Sequence, residues 1–401
     1  RRKRGIMPEA PARAFINPLV CEGCGDCGRV SNCVAISPLE TPFGRKREID
    51  QSACNKDLSC IEGFCPSFVT LDGASIRKAA PATLASPTSL RGGARDGARH
   101  IGGGEPADGD NEASPSDPPS SPQILPPLDR PYAILVTGVG GTGVVTVSAV
   151  LAQAAHIAGL GFGSIDVTGL AQKGGAVVCH IRIARQPDDV HAIRVGIAHA
   201  DLVLGGDLVV TASNRILEAI DTDHTAVVYS THEMTTGAFT RDPDLGVPGV
   251  RLSRSIAARA GRGDLAALDA HDLAIRTFGD SLYANMILLG VAVERGHVPI
   301  PAAAIEEAIV LNGAAVTNNL DAFRLGRRAA HDATAPRLAA APVPAKQATP
   351  ELAAIVDLRA DYLTGYQDAA LAERYRRRIA AISAREAESA PGLHGLAETA
   401  A

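Results

Sequence analysis

Apolar runs and glycine clusters alternate along residues 132–183, YAILVTGVGGTGVVTVSAVLAQAAHIAGLGFGSIDVTGLAQKGGAVVCHIRI. Tyr132 to Thr137 is apolar and rich in β-branched residues, with no position reserved for solvent, which predicts a strand of a parallel sheet buried on both faces. Thr142 to Ala158 then spaces small apolar residues as a helix packed on such a sheet does. Strand-like runs follow at Gly163 to Val167 and at Ala176 to Ala184. Asp201 to Gly206 and Thr225 to Ser230 are short apolar runs, each followed by a helical pattern, which is the rhythm of parallel α/β structure. Tyr283 to Val293 and Ile305 to Leu311 read as buried helices. The pattern predicts a doubly wound, Rossmann-like α/β domain over residues 131–328.

The rest of the chain has other patterns. From about Arg77 to Leu128 it is Ala, Pro, Ser, Gly and Asp with almost no large apolar side chains. Such a segment cannot bury enough surface to offset its chain entropy, so 77–130 is expected to be a disordered linker. A second Pro/Ala-rich break falls within 329–350. Beyond it, 351–401 is expected to be a helical tail, its helical pattern running from Leu352 to Ala387. Tyr362, Tyr366, Leu371 and Tyr375 recur there at helical spacing, and Arg374, Arg376, Arg377 and Arg378 fall outside that stripe.

Composition narrows the function classes. A chain of 401 residues with 46% hydrophobic residues can fill two or three cores. A net charge of −5, 3% aromatics and no Trp leave neither a basic surface nor stacking platforms for nucleic acid. No uninterrupted apolar stretch of about 18 residues is present, and no hydrophobic run follows the basic start Arg1-Arg2-Lys3-Arg4, so a cytoplasmic protein is expected. The chain begins without Met, which reads as a fragment or processed piece of a longer polypeptide.

The glycines bring in chemistry. Gly138, Gly140 and Gly143 form GxGxxG directly after a strand and before a helix, where glycine lets the backbone turn sharply and approach a phosphate. Asp166 stands about 20 residues beyond the last of them, as in a dinucleotide-binding unit. The chain then continues as Thr168-Gly169-Leu170-Ala171-Gln172-Lys173-Gly174-Gly175, a second glycine loop with one Lys, directly before a strand, where backbone N–H groups could meet an anion. Gly138, Gly140, Gly141, Gly143, Thr168, Lys173, Gly174 and Gly175 are therefore the candidate cofactor-binding residues. Gly205-Gly206-Asp207 and Thr231-His232-Glu233 lie at later strand ends, where such sheets bind ligands, and His232 by itself reads as an ordinary loop residue. Gly279-Asp280-Ser281 to Asn285 echoes the GDG…N signature of thiamine diphosphate enzymes, but it is too short. Cys179, mid-strand among apolar neighbours, reads as a buried structural thiol.

Seven of the eight cysteines lie in residues 15–73, and 1–76 is expected to form a ferredoxin-like iron–sulfur module. Cys21, Cys24 and Cys27 form CxxCxxC, whose short spacers let three thiolates converge on one face of a tight loop. Cys65 is followed by Pro66, where ferredoxins place the fourth ligand of the same cluster. The preferred reading is a 4Fe-4S cluster on Cys21, Cys24, Cys27 and Cys65, with zinc and disulfides as rivals. Cys33, Cys54 and Cys60 supply three further thiolates, one short of a second cubane. Arg45, Lys46 and Arg47 between the two halves read as a solvated loop.

GVGGTGVVT followed by DVTGLAQKGGAVVCHIRIA resembles the γ-type domain of 2-oxoacid:ferredoxin oxidoreductases, most closely that of the fused indolepyruvate ferredoxin oxidoreductases. The resemblance implies oxidative decarboxylation of an arylpyruvate with thiamine diphosphate, magnesium and CoA, and electron transfer through iron–sulfur clusters to ferredoxin. It also implies partner domains or subunits that carry the thiamine diphosphate, and a homo-oligomer. Arg182 matches a family Arg after the second glycine loop. The second cysteine half departs from the family's CxxCxxCxxxCP, and no thiamine diphosphate signature is present, so this chain alone is expected to be inactive. The alternative is an iron–sulfur electron-transfer protein whose GxGxxG and Asp166 bind NAD(P) or FAD. A third reading is a non-catalytic assembly subunit whose cysteines bind zinc.

Overall fold

The computed structural model describes residues 10–74, 123–168, 175–234, 239, 242, 245–246, 248–332, 351–390 and 395–401. The chain divides into two compact units, Arg1–Leu338 and Ala339–Ala401.

The first unit opens with a small module. Strand β1 (Ala12–Ile16) is followed by the one-and-a-half-turn helix α1 (Asp26–Ser31), the hairpin of β2 (Ile36–Thr41) and β3 (Gly44–Ile49), and β4 (Phe68–Asp72), which returns to pair antiparallel with β1. Its core is small: Ala14, Ile36 and Cys60 are buried, with Cys27, Cys33, Ile49, Leu58, Ile61 and Phe68 packed against them. Three thiols thus occupy places that aliphatic side chains would take in a module with a larger core.

A six-stranded sheet organises the remainder of this unit. In chain order its elements are β5 (Tyr132–Val139), α2 (Val144–Ile157), β6 (Gly161–Thr168), β7 (Ala176–Ala184), β8 (Leu202–Gly205), α3 (Leu208–Thr211), α4 (Asn214–Ala219), β9 (Ala226–Ser230), α5 (Gly249–Ala260), β10 (Leu265–Leu268), α6 (Ala270–Phe278), α7 (Ala284–Glu294), α8 (Ala302–Asn312) and α9 (Val316–Asp332). The order across the sheet is β10-β9-β8-β5-β7-β6. The first four are parallel, whereas β7 runs antiparallel to β5, and β6 antiparallel to β7 at the edge.

β5 is buried at every position, as its unbroken apolar run requires. Its residues alternate between two cores. Ile134 and Val136 join Val147, Leu151, Ile287 and Phe323 on one face, and Ala133 and Leu135 join Leu208, Ile216 and Ile256 on the other. Helices on both faces make this a doubly wound α/β domain, and α7, apolar all round, is buried along almost its whole length.

Several expectations need adjustment. β6 does not lie beside β5 as the second strand of a dinucleotide-binding unit does, because β7 is inserted between them. Residues 77–122 of the expected linker, and 75–76 of the expected module, lie outside the described residues. Residues 123–128 are not loose: Gln123 donates to the Ile300 carbonyl (3.2 Å) and accepts the Ala302 N–H (2.8 Å), and Leu128 packs on the core. Arg45, Lys46 and Arg47 belong to β3 rather than to a solvated loop, and Arg47 is 1% exposed.

The second unit is helical. The expected helical tail contains α10 (Leu352–Tyr366) and α11 (Ala369–Ser389), separated at Gln367-Asp368. There Asp368 caps α11 by accepting the Leu371 N–H at 2.8 Å, a stronger local preference than continuing the helix. Tyr362 and Tyr366 are consequently exposed, not part of a shared stripe with Tyr375. Glu386 is buried and accepts the N–H groups of Leu396 and Ala397 at the start of α12 (Gly395–Ala400). Among the described residues no helix is long and apolar enough to cross a membrane.

Candidate functional site

The two glycine loops meet at one end of the sheet. Gly140 donates its N–H to the Gly175 carbonyl at 2.8 Å, just beyond the paired residues Val139 and Ala176, and Thr168 sits one strand further out, opposite Val177. Residues 169–174, which include Lys173 and Gly174, lie outside the described residues. Gly143 is the N-cap of α2 at φ +90°, in the left-handed region where glycine is unstrained, and has no side chain to cap the helix. Among the described residues the N–H groups of Gly141, Gly143, Val144 and Val145 have no partner. Those amides and the α2 dipole suit an anion.

The loop is held from below. Thr142 bonds back to the Val139 carbonyl through its Oγ1 (2.8 Å), and Asn285 at the start of α7 donates from Nδ2 to the Thr142 carbonyl (2.8 Å). Gly206 donates to the Thr137 carbonyl (2.7 Å), and an added Cβ there would collide with Asn285 Oδ1. At Gly138 a Cβ would stand 2.6 Å from Val144 Cγ2, so α2 can approach β5 only because Gly138 lacks one. Next to Gly206, Asp207 is 3% exposed: its Oδ1 accepts the Val210 N–H (2.7 Å), while Oδ2 has no partner among the described residues. Burial pushes its carboxyl up to about 6.

The structure does not bring Arg182 to these loops. It pairs with Ala133 at the opposite end of β5, among Asp201 and Arg130. Asp166 is exposed on the edge strand, paired with the buried Cys179; burial first, and Asp166 second, raise the thiol's pKa. A carboxylate two strands from β5 does not occupy the ribose-binding place of a dinucleotide unit, which removes the structural basis for an NAD(P) or FAD site.

The cysteines fall into two groups. Burial pushes Cys27 up to about 11, with Cys21 and Cys24 adding to the rise and the Gly28 N–H and Arg47 opposing it. Burial raises Cys33, to which Cys54 adds, and takes Cys60 up to about 11, to which Cys33 and Cys54 add. Cys21, Cys24 and Cys27 are thus electrostatic neighbours, and so are Cys33, Cys54 and Cys60, with Cys27 also adding to the rise at Cys60. Cys65, half-buried, lies in the turn before β4.

Backbone amides already point at three of the sulfurs: Gly23 N–H to Cys21 (3.3 Å), Ala35 N–H to Cys33 (3.4 Å) and Lys56 N–H to Cys54 (3.3 Å). Donors aimed at sulfur favour the thiolate and tune a bound iron–sulfur centre. Thiols that raise one another's pKa also favour a cationic core that takes their protons' place. The donor set therefore fits an iron–sulfur group, although among the described residues no three His, Cys, Asp or Glu side chains close on a single-ion site.

A seam joins the cysteine module to the sheet domain. Ser52 and Ser281 share a hydrogen bond of 2.6 Å, Asp50 lies 3.7 Å from His271, and Asp50 accepts the Cys54 N–H through its carbonyl. His271 stacks on His232 with ring centroids 3.7 Å apart, which gives the loop residue His232 a partner across the seam. Burial pushes His232 down to about 4, with His271 contributing. Arg45 donates to the Leu245 carbonyl, and the Arg47 guanidinium lies 4.9 Å from the ring centre of the buried Phe239.

Residues 280–285, whose resemblance to a thiamine diphosphate signature was superficial, instead touch both halves of this arrangement. Ser281 meets the module and Asn285 braces the glycine loop. Sequence reasoning missed Asn285, Ser52 and His271 because their partners lie 143, 229 and 221 residues away in the chain.

Comparison with known proteins places these features. Residues 133–329 match the family model described as pyruvate ferredoxin/flavodoxin oxidoreductase, and residues 352–401 match a family of unknown function, DUF6537. The indolepyruvate oxidoreductase subunit IorB of Pyrococcus horikoshii is 29% identical over 206 residues, covering 51% of this chain and 98% of that protein. Its counterpart from Methanothermobacter thermautotrophicus is 28% identical, over 50% of this chain and 97% of its own. Among solved structures, pyruvate oxidoreductase subunit PORC of Thermotoga maritima is 21% identical, with a TM-score of 0.36 over 50% of this chain and 97% of that one. Both glycine loops and their Asn285 brace lie inside the matched stretch, and residues 133–329 form a domain of the pyruvate ferredoxin/flavodoxin oxidoreductase family.

Proposed function

We propose that this chain is the γ-type and iron–sulfur part of an indolepyruvate-type 2-oxoacid:ferredoxin oxidoreductase. The observation that carries the reading is the match to the Pyrococcus horikoshii indolepyruvate oxidoreductase subunit over 98% of that subunit's length, across a domain whose two glycine loops are joined at Gly140 and Gly175.

In this reading the sheet domain completes an active site that partner domains or subunits supply with thiamine diphosphate and magnesium. The amides of Gly141, Gly143, Val144 and Val145 hold an anionic group of a cofactor such as CoA, with Thr168, Lys173, Gly174 and Gly175 from the second loop. Asn285 keeps the first loop in its binding conformation. Cys21, Cys24, Cys27 and Cys65 hold one 4Fe-4S cluster, and Cys33, Cys54 and Cys60 hold a second with a fourth ligand from elsewhere. Such centres supply one-electron transfer. The seam at Ser52, Asp50 and His271 holds the second group of thiols against the sheet domain, on a route from active site to ferredoxin. The domain organisation expected from the sequence, 1–76, 77–130, 131–328, 329–350 and 351–401, and assembly into a homo-oligomer belong to the same proposal.

Anaerobic purification with iron and sulfide analysis, beside the electron paramagnetic resonance spectrum of the reduced protein, tests it. About eight irons per chain with interacting signals is the expected result, and about four would limit the relay to one centre. Zinc in place of iron would overturn the electron-transfer reading. Turnover of a 2-oxoacid by this chain alone would overturn the division of labour.

A further inference from the structure

His180 of β7 is 3% exposed and lies on the sheet face opposite α2 and α7. Its Nδ1 accepts the Val195 N–H at 3.1 Å. A backbone amide can only donate, so Nδ1 holds the lone pair and the neutral ring carries its proton on Nε2. Charging the ring is opposed, because burial, followed by Arg215, Arg194 and Arg182, pushes His180 down to about 4. Nε2 faces a guanidinium nitrogen of Arg215 at 3.4 Å, and a guanidinium can only donate as well. Two donors therefore confront each other, and the geometry lacks an acceptor.

The surroundings repeat that deficit. Arg194 and Arg215 line the same cleft, and among the described residues neither has a carboxylate partner. Glu218 lines it too, yet its carboxylate makes no bond among the described residues. The cleft measures about 210 Å³. That is below the roughly 300–1,000 Å³ of pockets that enclose whole cofactors, so it suits a small group. It is separate from the glycine loops, since His180 pairs with Leu135 in the middle of β5.

We propose that this cleft binds a phosphoryl-type oxyanion whose oxygens accept from His180 Nε2–H, Arg215 and Arg194. A tetrahedral oxyanion offers several acceptors on one centre and matches guanidinium forks, and it resolves the confrontation of donors without moving the backbone. The anion is either inorganic phosphate or the terminal phosphomonoester of a larger ligand, whose remainder lies outside the cleft.

The test follows the His180 ring by nitrogen-15 NMR in the full chain during titration with inorganic phosphate, with chloride at matched ionic strength as the control. Saturable movement of the Nε2–H signal by phosphate but not chloride is expected. Arg215→Gln and Arg194→Gln, both at exposed positions, should each weaken it by about tenfold, the loss of one charge-assisted hydrogen bond. Adenosine 3′-phosphate serves as the phosphomonoester probe. Displacement of phosphate at lower concentration assigns the phosphoryl group to a larger ligand, and equal or weaker competition assigns the site to the free anion. The proposal is overturned if chloride reproduces the shift, if phosphate produces none, or if Glu218→Gln alone moves the Nε2–H signal, which would make Glu218 the missing acceptor.

Discussion

The brace under the first glycine loop makes a quantitative claim. Asn285 is 6% exposed and its Nδ2 donates to the Thr142 carbonyl at 2.8 Å. Asn285→Ala removes the donor and leaves that carbonyl to find another partner in a half-buried place, a loss of about 1–3 kcal/mol. In a domain of this size each kcal/mol lowers Tm by roughly 2–4 °C, so a fall on the order of 5 °C is expected. Gly206→Ala attacks the same brace from the other side, since its Cβ would collide with Asn285 Oδ1 and stand 3.0 Å from the Thr137 carbonyl. Overpacking of that kind destabilises by about 1–3 kcal/mol. Because one side chain is at the centre of both defects, the double variant should be less destabilised than the sum by about 1 kcal/mol. Calorimetric unfolding of the four proteins measures that coupling, and hydrogen exchange at Gly141 to Val145 reports the loop itself. Strictly additive unfolding energies with unchanged exchange at those amides would refute the brace.

Other expectations follow from groups already described. His180 and His232 both titrate near 4 in the folded protein against an ordinary value of 6.5, so the unfolded chain binds more protons between those values. Stability is then complete above about pH 6.5 and falls as pH drops towards 4, and His232→Phe, which keeps the stack, should flatten part of that acid limb in pH-dependent melts. Cys54→Ala should remove about four irons per chain while leaving the signal of the Cys21, Cys24 and Cys27 centre, whereas Cys24→Ala should do the reverse; loss of all iron in both would show one shared centre. Cys179 is fully buried with its thiol pKa raised, so iodoacetamide should label it only after unfolding, and mass spectrometry showing native-state labelling would contradict its placement.

Much of the sheet domain was legible from local pattern alone. Burial on both faces removes every reason for a polar side chain, so β5, β8, β9 and α7 stand out as unbroken apolar runs, and GxGxxG marks the turn between β5 and α2, where Gly138 has no room for a Cβ and Gly143 takes a positive φ. CxxCxxC announced convergent thiols for the same local reason. What the linear pattern could not decide was adjacency. Nothing in residues 161–184 distinguishes a strand beside β5 from one separated from it by β7, because the side-chain alternation is the same in either case; hydrogen bonding between distant strands makes that choice, and it removed Asp166 from the place a dinucleotide needs. Asp368 was readable as a cap, but the periodicity that ran across it was the wrong guide. The brace of Asn285 on Thr142, the contact of Ser52 with Ser281, the stack of His232 on His271 and the confrontation of His180 with Arg215 all join residues far apart in sequence. Only packing against the sheet brings them within hydrogen-bonding distance, so tertiary structure alone decided what those side chains do.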